Sequence, residues 1–174
     1  MDLEAVVGGR GWSGGVASGV PGRAVPWATP SGMRATARPS LDPADYPFSH
    51  PIRTRFAETD AMGIVHHSAY LPYLEEARVA YMRDLGRSYA ALHESGTNLS
   101  VVEAWVGYRV PLRFDEVVDV GAVVSDTARA WFQIAYLLTV DGAVRATAVT
   151  VHGAVGNDGR PQRLPDWLRE PPPR

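Results

Sequence analysis

Hydrophobic and polar residues alternate in the stretch PIRTRFA, and this alternation predicts a β-strand. Ile52, Thr54 and Phe56 share one face of such a strand. Arg53 and Arg55 lie on the opposite face, because successive side chains of a strand point to opposite sides. The pattern therefore predicts a strand with one buried face.

The stretch SAYLPYLEEARVAYMRDLG repeats its apolar residues at intervals of three and four, which predicts an amphipathic helix. Pro72 is tolerated only in a first turn, so the helix is expected to begin near Ser68 or Ala69, with Ser68 as N-cap. Gly86 is expected to end it, because glycine readily adopts the left-handed conformation of a helix C-terminus. The apolar stripe comprises Leu71, Leu74, Ala77, Tyr81 and Leu85.

Four β-like stretches follow the helix: LSVVEAWVGYRVPLRF, VVDVGAVVSDTAR, AWFQIAYLLTV and VRATAVTVHGAV. Asp141 and Gly142 separate the last two and are a strong signal for a two-residue hairpin turn. One strand, one helix and four strands predict an α+β fold. In it, a mostly antiparallel five-stranded sheet wraps one long central helix.

Composition divides the 174 residues into three parts. Residues 1–47 are rich in Gly, Pro and Ala and show no lasting periodicity, so they are predicted to form a flexible tail. Residues 48–168 carry the periodic segments and are predicted to form one domain. Residues 169–174 form a Pro-rich C-terminal end, before which Trp167 and Leu168 are expected to pack on the domain.

Charge and residue types exclude several classes of function. A net charge of −2 gives no reason to expect nucleic acid or a membrane as partner. The absence of cysteine excludes disulfides, thiolate catalysis and cysteine-ligated zinc. No stretch approaches the ~20 apolar residues of a membrane helix, and the first residues lack the apolar core of a secretory signal. A cytoplasmic location is therefore expected.

The stretch ETDAMGIVHHSAY, between the predicted strand and helix, concentrates the residues with chemical potential. His66 and His67 are adjacent, and neighbouring loop residues point in different directions. The helical spacings typical of zinc ligands are missing. No metal site and no cofactor are predicted.

The longer segment FAETDAMGIVHHSAYLPYLEEAR resembles the hotdog-fold acyl-CoA thioesterases, in particular the 4-hydroxybenzoyl-CoA thioesterase and YbgC-like branch. The element order agrees with that family from about residue 50 to residue 155. His66 departs from the pattern, since relatives often carry Tyr or Trp there, and this affects the shape of the acyl pocket. The matching positions are Glu58, Thr59, Asp60, Gly63, Ile64, Val65, His66, His67, Tyr70, Glu75, Ala77 and Arg78.

The resemblance implies a role for each of these positions. Asp60 is the catalytic carboxylate, acting either as general base on water or as nucleophile. His67 is the family histidine, which orients the thioester carbonyl or holds Asp60. Gly63 lets the chain approach the ligand, and backbone amides at the helix start stabilise the oxyanion. The oxyanion and substrate-binding positions are Gly63, Val65, His66 and Tyr70, and Glu75 with Arg78 supports the helix or reaches across a subunit interface.

The implied reaction is hydrolysis of a short-chain or aromatic acyl-CoA. Two alternatives stay open: a thioesterase for acyl carrier protein, and a module that binds acyl-CoA without hydrolysing it. The fold also implies a homodimer or homotetramer with the active site between subunits. The cations available for the phosphates of coenzyme A are Arg109, Arg113, Arg129 and Arg145.

Overall fold

The computed structural model describes residues 35–169, in which a five-stranded sheet wraps one helix. All neighbouring strands are antiparallel, in the order β1-β3-β4-β5-β2. This confirms the predicted α+β hotdog architecture. The strands are β1 (Phe48–Arg53), β2 (Thr97–Tyr108), β3 (Val117–Thr127), β4 (Trp131–Val140) and β5 (Ala143–Gly156).

The long helix α1 spans Tyr70–Asp84 and follows a 3-10 turn at His67–Ala69. The prediction that Ser68 caps this helix is wrong. The cap belongs to the 3-10 turn, where the His66 Nδ1 atom accepts a hydrogen bond from the Ser68 N–H at 3.3 Å. A histidine side chain therefore takes the place expected of the serine hydroxyl.

The predicted end of α1 is confirmed. Gly86 has a φ of 73°. Its N–H donates to the Arg83 carbonyl at 3.0 Å, and the Arg87 N–H donates to the Met82 carbonyl at 2.9 Å. This pair of bonds is the Schellman motif, which needs a left-handed residue.

The predicted hairpin between β4 and β5 is also confirmed. Asp141 and Gly142 form its turn, with φ values of 50° and 76°. Positive φ at both positions is the geometry whose twist suits two antiparallel strands. The local sequence signal was sufficient here because the turn residues alone dictate this backbone shape.

The first strand is shorter than predicted. Ile52 and Thr54 are buried, but Phe56 is 75% exposed in a 3-10 turn at Phe56–Glu58. The strand ends because the Glu58 carboxylate accepts a hydrogen bond from the Arg55 N–H at 2.8 Å, which favours the turn. The predicted buried position of Phe56 is therefore wrong.

Two short helices complete the described chain. Helix α2 (Tyr89–Glu94) was not predicted, and its signal was Ser88, whose hydroxyl accepts a hydrogen bond from the Ala91 N–H. Helix α3 (Asp166–Arg169) places Leu168 in the core with Trp167 packed against it, as predicted. No helix within residues 35–169 is long and apolar enough to cross a membrane. The predicted cytoplasmic location stays a prediction.

Both faces of the sheet are covered. The inner face packs on α1 and forms the main core, whereas the outer face carries a smaller apolar cluster of Tyr46, Ala135 and Leu137. Residues 35–46 lie on that outer face, although they fall within the predicted flexible tail. The remaining predicted tails, residues 1–34 and 170–174, lie outside the described residues.

Candidate active site

Asp60 lies in a tight turn between β1 and α1. The Gly63 N–H donates to the Asp60 carbonyl and the Asp60 N–H donates to the Ile64 carbonyl, both at 2.9 Å. The Asp60 carboxylate accepts a hydrogen bond from the Met62 N–H at 2.8 Å. Gly63 has a φ of 71°, so the turn itself requires glycine there. Its predicted contact with a ligand stays a prediction.

Glu58 anchors this turn from one side. Its carboxylate accepts hydrogen bonds from the Arg55 side chain at 2.8 Å and from the buried Tyr73 hydroxyl, and its carbonyl accepts the His66 N–H. Burial alone would raise the pKa of Glu58, but the bonds from Tyr73 and Arg55 hold that pKa below its ordinary value. Glu58 is therefore ionised and fixes the chain two residues before Asp60.

Asp60 opens into a pocket of about 270 Å³ between the turn, the start of α1 and the end of β2. Of the residues predicted for the site, the structure brings four to this pocket: Asp60, Val65, His67 and Tyr70. The lining does not include Gly63, His66, Glu75 or Arg78. The other lining residues are Met62, Ile64, Tyr108, Arg109, Val110 and Pro111.

Tyr108 was absent from the predicted site, yet it forms one wall of the pocket. Its ring packs edge-to-face on Tyr70 with centroids 4.9 Å apart, and its hydroxyl donates to the His67 carbonyl at 3.2 Å. Burial raises the pKa of Tyr70, so the ring that Tyr108 packs on stays neutral. Tyr108 is distant in sequence from Asp60, and only the register of β2 brings it here.

Backbone amides at the helix start are mostly engaged. The Val65 N–H donates to the Leu112 carbonyl and the His66 N–H to the Glu58 carbonyl, both at 2.8 Å. These two amides therefore hold the fold together and are not free to face a ligand. The described residues offer no acceptor to the His67 N–H, which begins the 3-10 turn.

The two histidines differ in their surroundings. The His66 ring is exposed, lies 2.7 Å from the Ser68 hydroxyl through Nδ1, and packs 4.0 Å from the His67 ring between centroids. His67 lines the pocket and His66 does not. Within residues 35–169 no group of three or more His, Asp or Glu side chains is placed to hold a metal ion.

Glu75 and Arg78 form the predicted pair, away from the pocket. The Arg78 guanidinium is buried, donates to Glu75 at 2.5 Å and donates to the Tyr89 hydroxyl at 3.1 Å. Tyr89 in turn donates to the Leu99 carbonyl at 2.7 Å. The pair therefore connects α1 to the edge strand β2 through α2.

A second cleft, of about 570 Å³, lies at the β3–β4 hairpin. Arg129, Arg163 and Arg169 line it, and Asp166 lies 3.2 Å from Arg169 and 3.4 Å from Arg163. β4 runs ten residues from this hairpin to the Asp60 end of the sheet, so the cleft and the pocket lie about 30 Å apart in one copy.

A family model described as the thioesterase-like superfamily matches residues 54–171 of the chain. The chain belongs to the thioesterase-like superfamily. This confirms the family resemblance and the prediction of a thioester hydrolase.

Individual known proteins are similar to this chain over most of their length. A 1,4-dihydroxy-2-naphthoyl-CoA hydrolase of Synechococcus elongatus is 31% identical over 134 residues, covering 72% of this chain and 96% of that protein. The crystal structure of a hypothetical protein from Aquifex aeolicus has a TM-score of 0.68 and 35% identity, covering 71% of this chain and 98% of that one. A thioesterase from Thermus thermophilus, solved with coenzyme A and zinc, has a TM-score of 0.62 and 27% identity, covering 72% and 91%.

Proposed function

We propose that the protein hydrolyses a short-chain or aromatic acyl-CoA to the free acid and coenzyme A. The observation that carries this proposal is that Asp60 and the start of the helical segment open into one small pocket. Its volume of about 270 Å³ lies just below the range of roughly 300–1,000 Å³ usual for ligand pockets, and its walls are mainly apolar and aromatic. Such a pocket suits a small acyl group. The 1,4-dihydroxy-2-naphthoyl-CoA hydrolase among the relatives supports an aromatic one.

Asp60 supplies the chemistry in either of two ways. As general base it takes a proton from water while the water oxygen attacks the thioester carbonyl and the carbon–sulfur bond breaks. As nucleophile it attacks the carbonyl itself, releases the thiolate and forms a mixed anhydride, which water then opens. Acylated Asp60 in rapidly quenched enzyme, detected by mass spectrometry, would identify the second route.

The His67 N–H is the proposed oxyanion donor. It stands at the start of the helical segment, where unpaired amides and the positive end of the helix dipole favour negative charge. The Tyr108 hydroxyl holds the carbonyl of the same residue, which fixes the turn in place. One such donor contributes about 3 kcal/mol to transition-state stabilisation.

The arginine cleft is proposed to bind the phosphates of coenzyme A. Arg129, Arg163 and Arg169 supply planar guanidinium groups, which bind phosphate oxygens in pairs, and one carboxylate offsets part of their charge. The relative solved with coenzyme A supports this class of ligand. Of the cations suggested by the sequence, only Arg129 lies in this cleft.

A homodimer would unite the two parts of the site. β2 is an edge strand with Val101, Trp105 and Tyr108 half-exposed, and unpaired edges favour pairing with another strand. Antiparallel pairing of two copies of β2 about a two-fold axis places the cleft of one copy at the end of the sheet that carries Asp60 of the other. The cleft and the pocket of one site then come from different copies, so the ~30 Å between the cleft and the pocket of a single copy does not have to be spanned.

A thiol-release assay over a panel of acyl-CoAs tests the proposed reaction. Asp60→Asn keeps shape and hydrogen bonding, so turnover is expected to fall by at least about a hundredfold, as for the loss of a general base. Asp84→Asn, an exposed aspartate at the end of α1, is the matched control. Full turnover in Asp60→Asn would contradict the proposal. Hydrolysis of acyl thioesters of acyl carrier protein, without hydrolysis of acyl-CoA, would favour the carrier-protein alternative. Binding of acyl-CoA without hydrolysis would favour a non-catalytic module.

Subunit mixing tests the shared site. The Asp60→Asn chain and the Arg129→Ala chain, each on its own, are expected to hydrolyse acyl-CoA slowly at low substrate concentration. When the two chains are co-expressed, about half of the dimers contain one chain of each kind. Each such dimer has one site with both changes and one site with neither, so about a quarter of the parent activity is expected to return. Absence of recovery, or a monomer at micromolar concentration, would contradict the shared site.

A further inference from the structure

A groove on the outer face of the sheet lies between β2 and the covering segment at residues 35–39. Its volume of about 310 Å³ is close to that of the Asp60 pocket. Trp105 on β2 pairs with Val149 on β5, and Thr147 lies two residues before Val149, so the three side chains share the outer face. Val149 and Thr147 are buried, whereas Trp105 is 49% exposed. The floor of the groove is therefore mainly apolar and presents one open aromatic ring.

A glycine lets the Trp105 ring lie against the strand. A Cβ atom added at Gly107 would lie 2.7 Å from Cη2 and 3.2 Å from Cζ2 of the indole. Only a residue without a side chain allows the ring to come so close to the backbone. The ring therefore lies along the outer face of β2, and its remaining surface is a platform for a flat ligand.

Hydrogen bonds hold the wall of the groove that residues 35–39 form. The Glu103 carboxylate accepts the Ala35 N–H at 3.2 Å. The Gln133 side-chain oxygen accepts the Thr36 N–H at 3.0 Å and the Ala37 N–H at 3.2 Å, and its amide donates to the Thr36 hydroxyl at 2.9 Å. Gln133 is fully buried, and a buried amide is stable only when satisfied. The wall is therefore part of the folded domain, and the groove is formed before any ligand binds.

Two arginines of the groove have free guanidinium groups. Within residues 35–169, neither Arg38 nor Arg109 forms an ion pair or a side-chain hydrogen bond, and both are exposed. Arg145, in contrast, is paired with Glu116 at 3.1 Å. The lining has one carboxylate, Glu103, against these two arginines, so the groove is positively charged. Guanidinium groups bind carboxylates through paired hydrogen bonds, and aromatic rings pack on one another, so the groove suits a flat aromatic anion.

We propose that this groove binds an aromatic carboxylate, with its ring on Trp105 and its carboxylate between Arg38 and Arg109. The choice of this acid rests on the proposed function, because hydrolysis of an aromatic acyl-CoA releases such an acid. Arg109 lines both cavities, so the groove adjoins the pocket in which the acid forms. The nucleotide end of the same coenzyme A fits less well, because the long pantetheine arm separates it from a thioester at Asp60.

Nuclear magnetic resonance of the full-length chain, titrated with 2-naphthoate, tests the site. The five tryptophans each have one indole N–H signal, and the Trp105 signal is the one missing from Trp105→Phe. This signal is expected to shift to saturation with a Kd of about 1 mM or tighter. Cyclohexanecarboxylate has the charge without the aromatic ring, and 2-naphthalenemethanol has the ring without the charge. Each of these two compounds is expected to bind at least about fivefold more weakly.

Arg38→Gln and Arg83→Gln are the matched variants. Both remove an exposed arginine, but only Arg38 lines the groove, whereas Arg83 lies on α1. The affinity for 2-naphthoate, read from the Trp105 signal, is expected to fall at least about fivefold in Arg38→Gln and to stay unchanged in Arg83→Gln. Trp105→Leu, measured by calorimetry, is expected to weaken binding by a similar factor.

Two results would overturn the proposal. One is a Trp105 signal that does not shift, because the groove would then not take the acid. The other is equal affinity in Arg38→Gln and Arg83→Gln, together with tighter binding in Asp60→Asn, because the acid would then lie in the Asp60 pocket. Binding is measured without turnover, so a chain that hydrolyses no acyl-CoA can still confirm the groove, and an active thioesterase can still fail this test.

Discussion

Helix α1 has polar groups around it at two places, and their surroundings differ. At its N-terminal end, Asp60 and His67 are partly or fully open to solvent and are held through backbone hydrogen bonds. Around its middle, Arg78 and His152 are buried between helix and sheet. The open site can therefore meet a ligand, whereas the buried cluster can only hold the fold together.

The buried cluster is incompletely satisfied. The Thr150 hydroxyl lies 3.0 Å from the Tyr136 hydroxyl and 2.7 Å from His152 Nε2. His152 Nδ1 and Arg78 Nε have no hydrogen-bond partner among the described residues. Buried polar atoms without a hydrogen-bond partner make a core sensitive to substitution and to protonation. Changes here should therefore alter the free energy of unfolding, and changes at Asp60 should alter turnover.

The largest expected loss of stability follows Arg78→Ala. The change removes the buried guanidinium, its bonds to Glu75 and Tyr89, and the packing of its side chain. The free energy of unfolding is expected to fall by about 3 kcal/mol in urea denaturation. Arg83→Ala, on an exposed position of the same helix, should stay within about 0.5 kcal/mol. Equal losses of unfolding free energy in the two variants would contradict the assigned difference between a buried and an exposed arginine.

Next in size is the pH dependence due to His152. Burial, aided by the nearby positive charge of Arg78, lowers the pKa of His152 to about 3. The unfolded chain takes up this proton below about pH 6.5, whereas the folded chain stays neutral. The free energy of unfolding should therefore fall by about 2 kcal/mol between pH 7 and pH 5. The loss of unfolding free energy between pH 7 and pH 5 should be smaller by this amount in His152→Gln. An unchanged pH dependence in that variant would contradict the assignment of this effect to His152.

A smaller loss is expected for Tyr73→Phe. This change removes the hydrogen bond to the Glu58 carboxylate, which anchors the turn that carries Asp60. The free energy of unfolding is expected to fall by about 1.5 kcal/mol, as for hydrogen bonds to charged groups. Tyr108→Phe is the control, because that hydroxyl is exposed. A larger loss for Tyr108→Phe than for Tyr73→Phe would reverse the expected order.

The smallest change in stability should come from Asp60→Asn. The asparagine side-chain oxygen can still accept the Met62 N–H, so denaturation should shift by less than about 0.5 kcal/mol. The same variant should lose at least about a hundredfold in turnover. If Asp60→Asn were both inactive and strongly destabilised, the role of Asp60 would be structural, as for the residues of the buried cluster.

Several features could be predicted from the sequence because neighbouring residues alone produce them. The buried stripe positions Leu74, Ala77 and Tyr81, the glycine at the helix end and the Asp141–Gly142 turn depend on helical or turn geometry within a few residues. The prediction that Leu71 belongs to the buried stripe is wrong: it is 47% exposed, because Tyr70, Tyr73 and Leu74 form the buried face of the first turns. Phe56 and Ser68 were assigned wrongly, because the side chains of Glu58 and His66 capture backbone amides nearby and change the local path. Propensity does not anticipate such competition.

By itself, the sequence determined the α+β order of elements, the family and the position of Asp60 in a turn before the helix. Tertiary structure alone decided which residues meet. The register of β2 brings Tyr108 to His67, and the alternation of β4 turns Gln133 toward Thr36 and Ala37. The physical reason is that local periodicity assigns a side chain to a face. What lies opposite that face depends on chain segments far away in sequence: Thr36 and Gln133, which bond to each other, are 97 positions apart.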